Sequence, residues 1–148
     1  MKYSAGIIPF RIVNGKMEFF VGHPGGVSWQ NRNYWAYLKG CVEKGEDWVT
    51  AAIREFKEES GLSMEDCRSN MLIPLGTSLQ NPKKTVIAYG IEYPNIDPND
   101  CHSNIADNGL NPEIDQYRWM DYDTLSKCTH AKHLVFYEQL IAMNRDND

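Results

Sequence analysis

Residues 40–62 read GCVEKGEDWVTAAIREFKEESGL, a loop followed by a run with helical spacing, and their acids decide what this chain can be. At about 100° per residue, Glu58 and Glu59 project roughly 60° and 40° to either side of Glu55, so three carboxylates share one third of a helix surface. Like charges at these spacings repel by about 0.2–0.5 kcal/mol per pair, and no Lys or Arg follows Glu55 four residues on. A hard divalent cation resolves that crowding, because such ions take carboxylate oxygens and keep positions for water and phosphate. Val49, Ala52, Ile53 and Phe56 fill an adjoining arc predicted to pack on a core. Gly45 and Asp47 supply a turn and an N-cap, and Gly61 follows the last turn, where a helix commonly stops. Arg54, four residues before Glu58, is predicted to orient that carboxylate.

Laid on the pattern Gx5Ex7REUxEExGU, with U a bulky aliphatic, the stretch matches at Gly40, Glu46, Arg54, Glu55, Glu58, Glu59, Gly61 and Leu62. Phe56 alone departs, being aromatic at a U position. The stretch thus resembles the box of the Nudix hydrolases. An acidic surface helix would account for the glutamates but not for Gly40, Glu46, Gly61 and their spacing.

The resemblance implies an α/β fold: an α/β/α sandwich with a mixed sheet, a central box helix and a C-terminal helix. It implies Mg2+-dependent hydrolysis, or Mn2+ in its place, of a pyrophosphate bond in a nucleoside diphosphate linked to a moiety X. Dinucleoside polyphosphates, NDP-sugars and nucleoside triphosphates all fit that description. Glu55, Glu58 and Glu59 would hold metal, joined by the backbone carbonyl of Lys39. Arg54 would serve the catalytic set, and Glu46 would hold the loop against the helix. Glu113, shortly before a Trp-containing strand, is the candidate further ligand or general base, with Asp115 and Asp100 behind it. A non-catalytic nucleotide-sensing or protein-interaction domain is the alternative, although such domains often lose a box glutamate and this chain keeps them all.

The 148 residues read as one domain, 1–148, large enough for a real core. A formal charge of −5 argues against a broad surface for nucleic acid or anionic membranes, leaving a small nucleotide as the expected partner of a monomer or homodimer. Cys41, Cys67, Cys101 and Cys128 form no CxxC pair, and no secretory signal opens the chain, so reduced thiols in a cytoplasmic setting are expected. No apolar run approaches the roughly 20 residues that span a bilayer.

Along the chain, Tyr3–Phe10 and Met17–Val21 are predicted strands joined at Asn14-Gly15, with Pro9 placing the first near an edge or an end. Residues 22–33 read as a loop holding His23, Trp29 and Arg32, in which His23 is a candidate to meet a phosphate and Trp29 to stack a base, the alternative for each being a packed loop residue. Tyr34–Leu38 reads as a short strand delivering Lys39 and Gly40 to the mouth of the site, Lys39 for a phosphate and Gly40 for close backbone approach. After polar residues 63–70, strands are predicted over Met71–Leu79, with a bulge or edge at Pro74, and over Thr85–Tyr93. A long loop over residues 94–112 precedes a strand at Tyr117–Met120, a capped turn from Asp121 and a closing helix over Lys132–Met143. Thr77 and Leu79 stand where two Nudix subgroups carry a marker Pro and Tyr, so X stays open.

Overall fold

A computed structural model describes residues 1–63, 71–105, 109 and 111–146; the turn expected over residues 63–70 lies, beyond Ser63, outside them. β1 (Lys2–Val13) and β2 (Lys16–Pro24) form an antiparallel hairpin. Asn14 and Gly15 both take positive φ, 52° and 78°, the pairing that a two-residue hairpin turn with matching twist requires. β1 also runs parallel to β5 (Lys84–Glu92), which pairs antiparallel with β4 (Ile73–Asn81) at one edge. β6 (Ile114–Asp121) pairs with β2 at the other edge, giving a mixed sheet in the order β4-β5-β1-β2-β6. A register shift between Pro74 and Thr77, with Gly76 at φ 84°, is the bulge expected on the edge strand.

Pro9 corrects one expectation, because β1 is internal to the sheet. Its first half, Ser4–Ile7, pairs with β3 (Leu38–Cys41), and its second half, Phe10–Val13, pairs with β2. Pro9 falls between the two partners. The Phe10 carbonyl accepts from Tyr93 N–H on the β5 side, so the N–H that Pro9 lacks points to the opposite side, at that break.

The short third strand also lies further along than Tyr34–Leu38, covering Leu38–Cys41, because β1 supplies the partners for Lys39, Gly40 and Cys41 there. Gly22 and Ala36 exchange backbone hydrogen bonds of 2.8 and 3.0 Å, so residues 36–41 fill a wedge between the diverging β1 and β2. A Cβ on Gly22 would lie 2.7 Å from both Ile114 and Leu38 side chains, so glycine is what lets the three segments meet.

The two faces bury separate cores. On one, Phe136 and Tyr137 of α3 (Leu134–Asp146) and Leu125 of the short α2 (Tyr122–Leu125) pack with Phe19, Val21, Tyr37 and Val86. α1 (Trp48–Ser60) covers Ala5, Ile7, Phe20, Leu38, Ile87 and Ile91. The result is the α/β/α sandwich expected. Among the described residues no helix is long and apolar enough to cross a membrane.

Candidate active site

α1 starts where Asp47 caps it, its Oδ1 accepting from Thr50 N–H at 2.8 Å, and stops at Gly61, whose φ of 71° aims its N–H at the Lys57 carbonyl. The buried face is turned relative to the predicted stripe: Ala51, Ala52, Phe56, Glu59 and Ser60 are buried, while Val49 and Ile53 are only partly covered. Phe56, the residue that departs from the box pattern, packs edge-on to Phe20 at 6.4 Å; the sheet offers an aromatic partner where the pattern asks for an aliphatic.

Turning the helix this way grades the three acids by depth. The Glu58 side chain is 42% exposed and that of Glu55 13%, and Glu59 as a whole is 7% exposed. Glu59 Oε2 is buried without a hydrogen-bond partner. Burial, and then the neighbouring Glu55 charge, pushes the Glu59 carboxyl up to about 8 against the pull of Lys39. Burial also raises Glu55, with Arg54 opposing. Lys39 is brought down to about 8 by burial and the Lys84 charge, with Glu59 opposing. A chain that buries an unsatisfied carboxylate oxygen beside two more acids has prepared for a cation.

Arg54 organises the loop side of this cluster. Its Nε and Nη2 donate to the two Glu46 oxygens at 2.8 and 2.9 Å, and Nη2 also reaches the Cys41 carbonyl at 3.0 Å. This fork holds Glu46 down at about 2. Nη1 donates to Glu55 Oε1 at 2.9 Å and to Glu58 only at 3.3–3.5 Å, so the shorter contact falls on Glu55 rather than on Glu58, the partner expected from helical spacing. Gly40 lies directly beneath the Glu55 carboxylate, where a Cβ would occupy the same space as that carboxyl group. Close backbone approach is thus toward Glu55 itself.

Beside the cluster opens a cleft of about 150 Å³ walled by Tyr34, Lys39, Glu59 and Glu113, with Gly22 and Ile114 below. The wedge of residues 36–41 and the β2–β6 pairing bring Lys39 and Glu113 together across it. A larger groove of about 520 Å³, near Arg11, Ile96 and Trp119, is lined by none of the box carboxylates.

Other nominated residues lie differently. His23 belongs to β2 rather than a loop, because Gly22–Pro24 continues the pairing with β6. It is buried, its Nδ1 2.7 Å from Asp115 Oδ1 and its Nε2 2.8 Å from the Arg32 carbonyl. Asp115 is thereby occupied with His23, and Asp100 sits in a short helical turn, Pro98–Asp100. Trp29 packs against Tyr34 at 5.1 Å with the Arg32 guanidinium 5.4 Å over its ring, so Tyr34, not Trp29, faces the cleft. In sequence Tyr34 and Tyr117 read only as strand residues; in the fold Tyr34 lines the cleft, and Tyr117 donates from β6 to the Glu59 carbonyl.

Among the described residues no three His, Cys, Asp or Glu side chains stand as a ready-made metal cluster. The acids nevertheless suit a divalent ion: the donors are hard oxygens, Glu59 Oε2 is unpartnered, and Glu55 lies over a glycine that keeps its position clear.

A family model described as the NUDIX domain matches residues 6–140. The chain belongs to the Nudix family. Relatives that it matches include a protein named as a hydrolase and one named as a tetraphosphatase. Nudix hydrolases generally use a divalent metal. The asymmetrical bis(5'-nucleosyl)-tetraphosphatase of Caenorhabditis elegans is 37% identical over 65 residues, 42% of each chain. The m7GpppN-mRNA hydrolase of Saccharomyces cerevisiae is 27% identical over 104 residues, 70% of this chain but 10% of the yeast protein, so the chain spans about a tenth of that relative. In structure it is similar to a C. elegans Ap4A hydrolase in a binary complex, with a TM-score of 0.64 at 21% identity over 96% of this chain and 98% of the other. A mutT/nudix protein of Listeria innocua superposes with a TM-score of 0.62 at 15% identity, covering 99% of this chain and 95% of the other. At these identities the two structures bear on the fold.

Proposed function

We propose that this Nudix enzyme catalyses the Mg2+-dependent hydrolysis of a pyrophosphate bond in a nucleoside diphosphate linked to another moiety, acting on a small nucleotide derivative. The observation that carries the reading is Glu59, a buried carboxylate with an unpartnered oxygen, set beside Glu55 on α1 and facing the cleft that Lys39 and Glu113 line. Glu55, Glu58 and Glu59 would hold the metal, with the Lys39 carbonyl beside them. A divalent ion bound there would supply charge neutralisation for a pyrophosphate and acidify a water. The Lys39 ammonium binds a phosphate oxygen, and Glu113 takes the proton of the attacking water at its exposed carboxylate. Arg54 keeps Glu55 aligned while Glu46 keeps Arg54 in place.

A dinucleoside polyphosphate is the first substrate to test, because the 37% identical relative is a tetraphosphatase. The net charge of −5 favours a free nucleotide over long RNA. Release of mononucleotide from dinucleoside polyphosphates, NDP-sugars, nucleoside triphosphates and ADP-ribose, with Mg2+ and after chelation, tests the proposal. Turnover that needs Mg2+ and falls by about 10²-fold or more in Glu58→Gln supports it; binding without turnover across the panel contradicts it.

A further inference from the structure

The last four carbonyls of a helix have no partner within it, and at the end of α1 each of the four finds one outside. Lys57 accepts from Gly61 N–H at 2.9 Å, Glu58 from Asn104 N–H at 2.8 Å and Ser60 from His102 N–H at 3.0 Å. The Glu59 carbonyl accepts instead from a side chain, the hydroxyl of Tyr117. Tyr117 stands on β6, and its ring lies nearly parallel to that of Phe20, 5.8 Å away at 11°. Phe20 is fully buried and packs in turn on Phe56 of α1. The phenol is therefore held by a rigid aromatic stack anchored in both the sheet and the helix.

From this geometry, and resting on the proposed hydrolytic reading, we infer that Tyr117 is a positioning residue for the reaction: its hydroxyl holds the Glu59 peptide and thereby sets where the Glu59 carboxylate points. The last turn of a helix frays readily, and Glu59 lies in it, one residue before Ser60. Side chain and carbonyl share one Cα, so a clamp on the carbonyl limits the rotation of the turn that carries the carboxylate. A metal ligand displaced by a fraction of an ångström loses much of its use. The other three bonds come from backbone N–H groups and follow the path of the chain. Among the described residues the Tyr117 bond is the one in this set that a single atom removes.

Tyr117→Phe deletes that oxygen and keeps the ring stack. Removing the outer partner of a metal ligand typically reduces affinity or activity by about 10–100-fold. The expected result is a kcat lowered about ten-fold and a Mg2+ half-saturation raised about five-fold, with KM for the nucleotide within about two-fold. The loss of one hydrogen bond lowers the unfolding midpoint by only about 3–5 °C. Tyr122→Phe, which removes a comparable hydroxyl bond to Glu138 away from α1, serves as control: a similar small midpoint change with unaltered kinetics. Kinetics for Tyr117→Phe that match those of Tyr122→Phe would overturn the inference. Glu59→Gln separates the two levels. An inactive Glu59→Gln beside an unimpaired Tyr117→Phe defeats the positioning role alone, an active Glu59→Gln defeats the metal-ligand role of Glu59 that the positioning serves, and a wild type without turnover on the nucleotide panel defeats the hydrolytic reading on which both rest.

Discussion

Glu58 and Glu113 are joined through the backbone of a single residue: Asn104 N–H donates to the Glu58 carbonyl at 2.8 Å, and the Asn104 carbonyl accepts Glu113 N–H at 2.9 Å. The helix that carries the box acids and the segment that carries the candidate base are thus clamped to each other. Glu113 is in turn tied to β2's end, its own carbonyl accepting from Gly25 N–H at 2.9 Å.

That placement singles out Glu113 among the downstream acids. Glu113→Gln is expected to lower kcat by about 10²–10³-fold with the fold intact, while Asp100→Asn stays within about two-fold. Steady-state kinetics on both variants decides it, and equal effects would leave the base elsewhere. Asp115→Asn is expected to act through His23, lowering stability more than kcat, because its carboxylate faces that ring.

Gly40→Ala is expected to be more damaging than its size suggests. The added methyl would occupy the space of the Glu55 carboxylate, so either the strand or the carboxylate must move. Turnover should fall by about 10²-fold or more while the overpacking lowers stability by about 1–3 kcal/mol. Circular dichroism with kinetics checks both, and near-normal turnover would show that Glu55 does not need to lie over residue 40.

The Glu46–Arg54 fork carries a pH signature. Glu46 is held at about 2 in the folded chain, first by Arg54 and then by Glu43 N–H, below its ordinary 4.5. The unfolded chain therefore binds the extra proton, and the stabilisation is present above about pH 4.5 and lost as pH falls toward 2. Glu46→Gln should remove about 1 kcal/mol at neutral pH, allowing for solvent screening, and should flatten the acid limb of stability against pH. Denaturant melts between pH 6 and 3 measure this; parallel wild-type and variant curves would contradict it.

The fold was legible where local chemistry and burial agree. Asn14-Gly15 marked the hairpin, Asp47 and Gly61 the ends of α1, Pro74 the disturbed edge strand, and Asp121 the cap of α2, its Oδ1 accepting from Thr124 N–H. What local pattern could not show was which strands neighbour which. Pro9 reads as an edge signal until β1 is seen to change partner at that residue, and His23 reads as a loop residue until β6 is seen to pair with it. The acids of the site were visible in their spacing, but their gradient of depth was not, because it depends on the angle at which α1 meets the sheet. Tyr34 and Tyr117 carried no signal in the chain; their roles exist only once residues far apart are brought together.

The most direct test of the central claim, that the acids of α1 form a divalent-metal site, is a Mg2+ titration of thermal stability on wild type and Glu59→Gln. An ion bound at about one hundred times its dissociation constant stabilises the wild type by about 2.7 kcal/mol, a rise of several degrees in the unfolding midpoint. Glu59→Gln, which relieves a buried and crowded charge, should match or exceed the wild-type midpoint without metal, lose the Mg2+-induced rise and lose turnover. A Glu59→Gln variant that keeps both the Mg2+-induced rise and near-normal turnover would contradict the assignment.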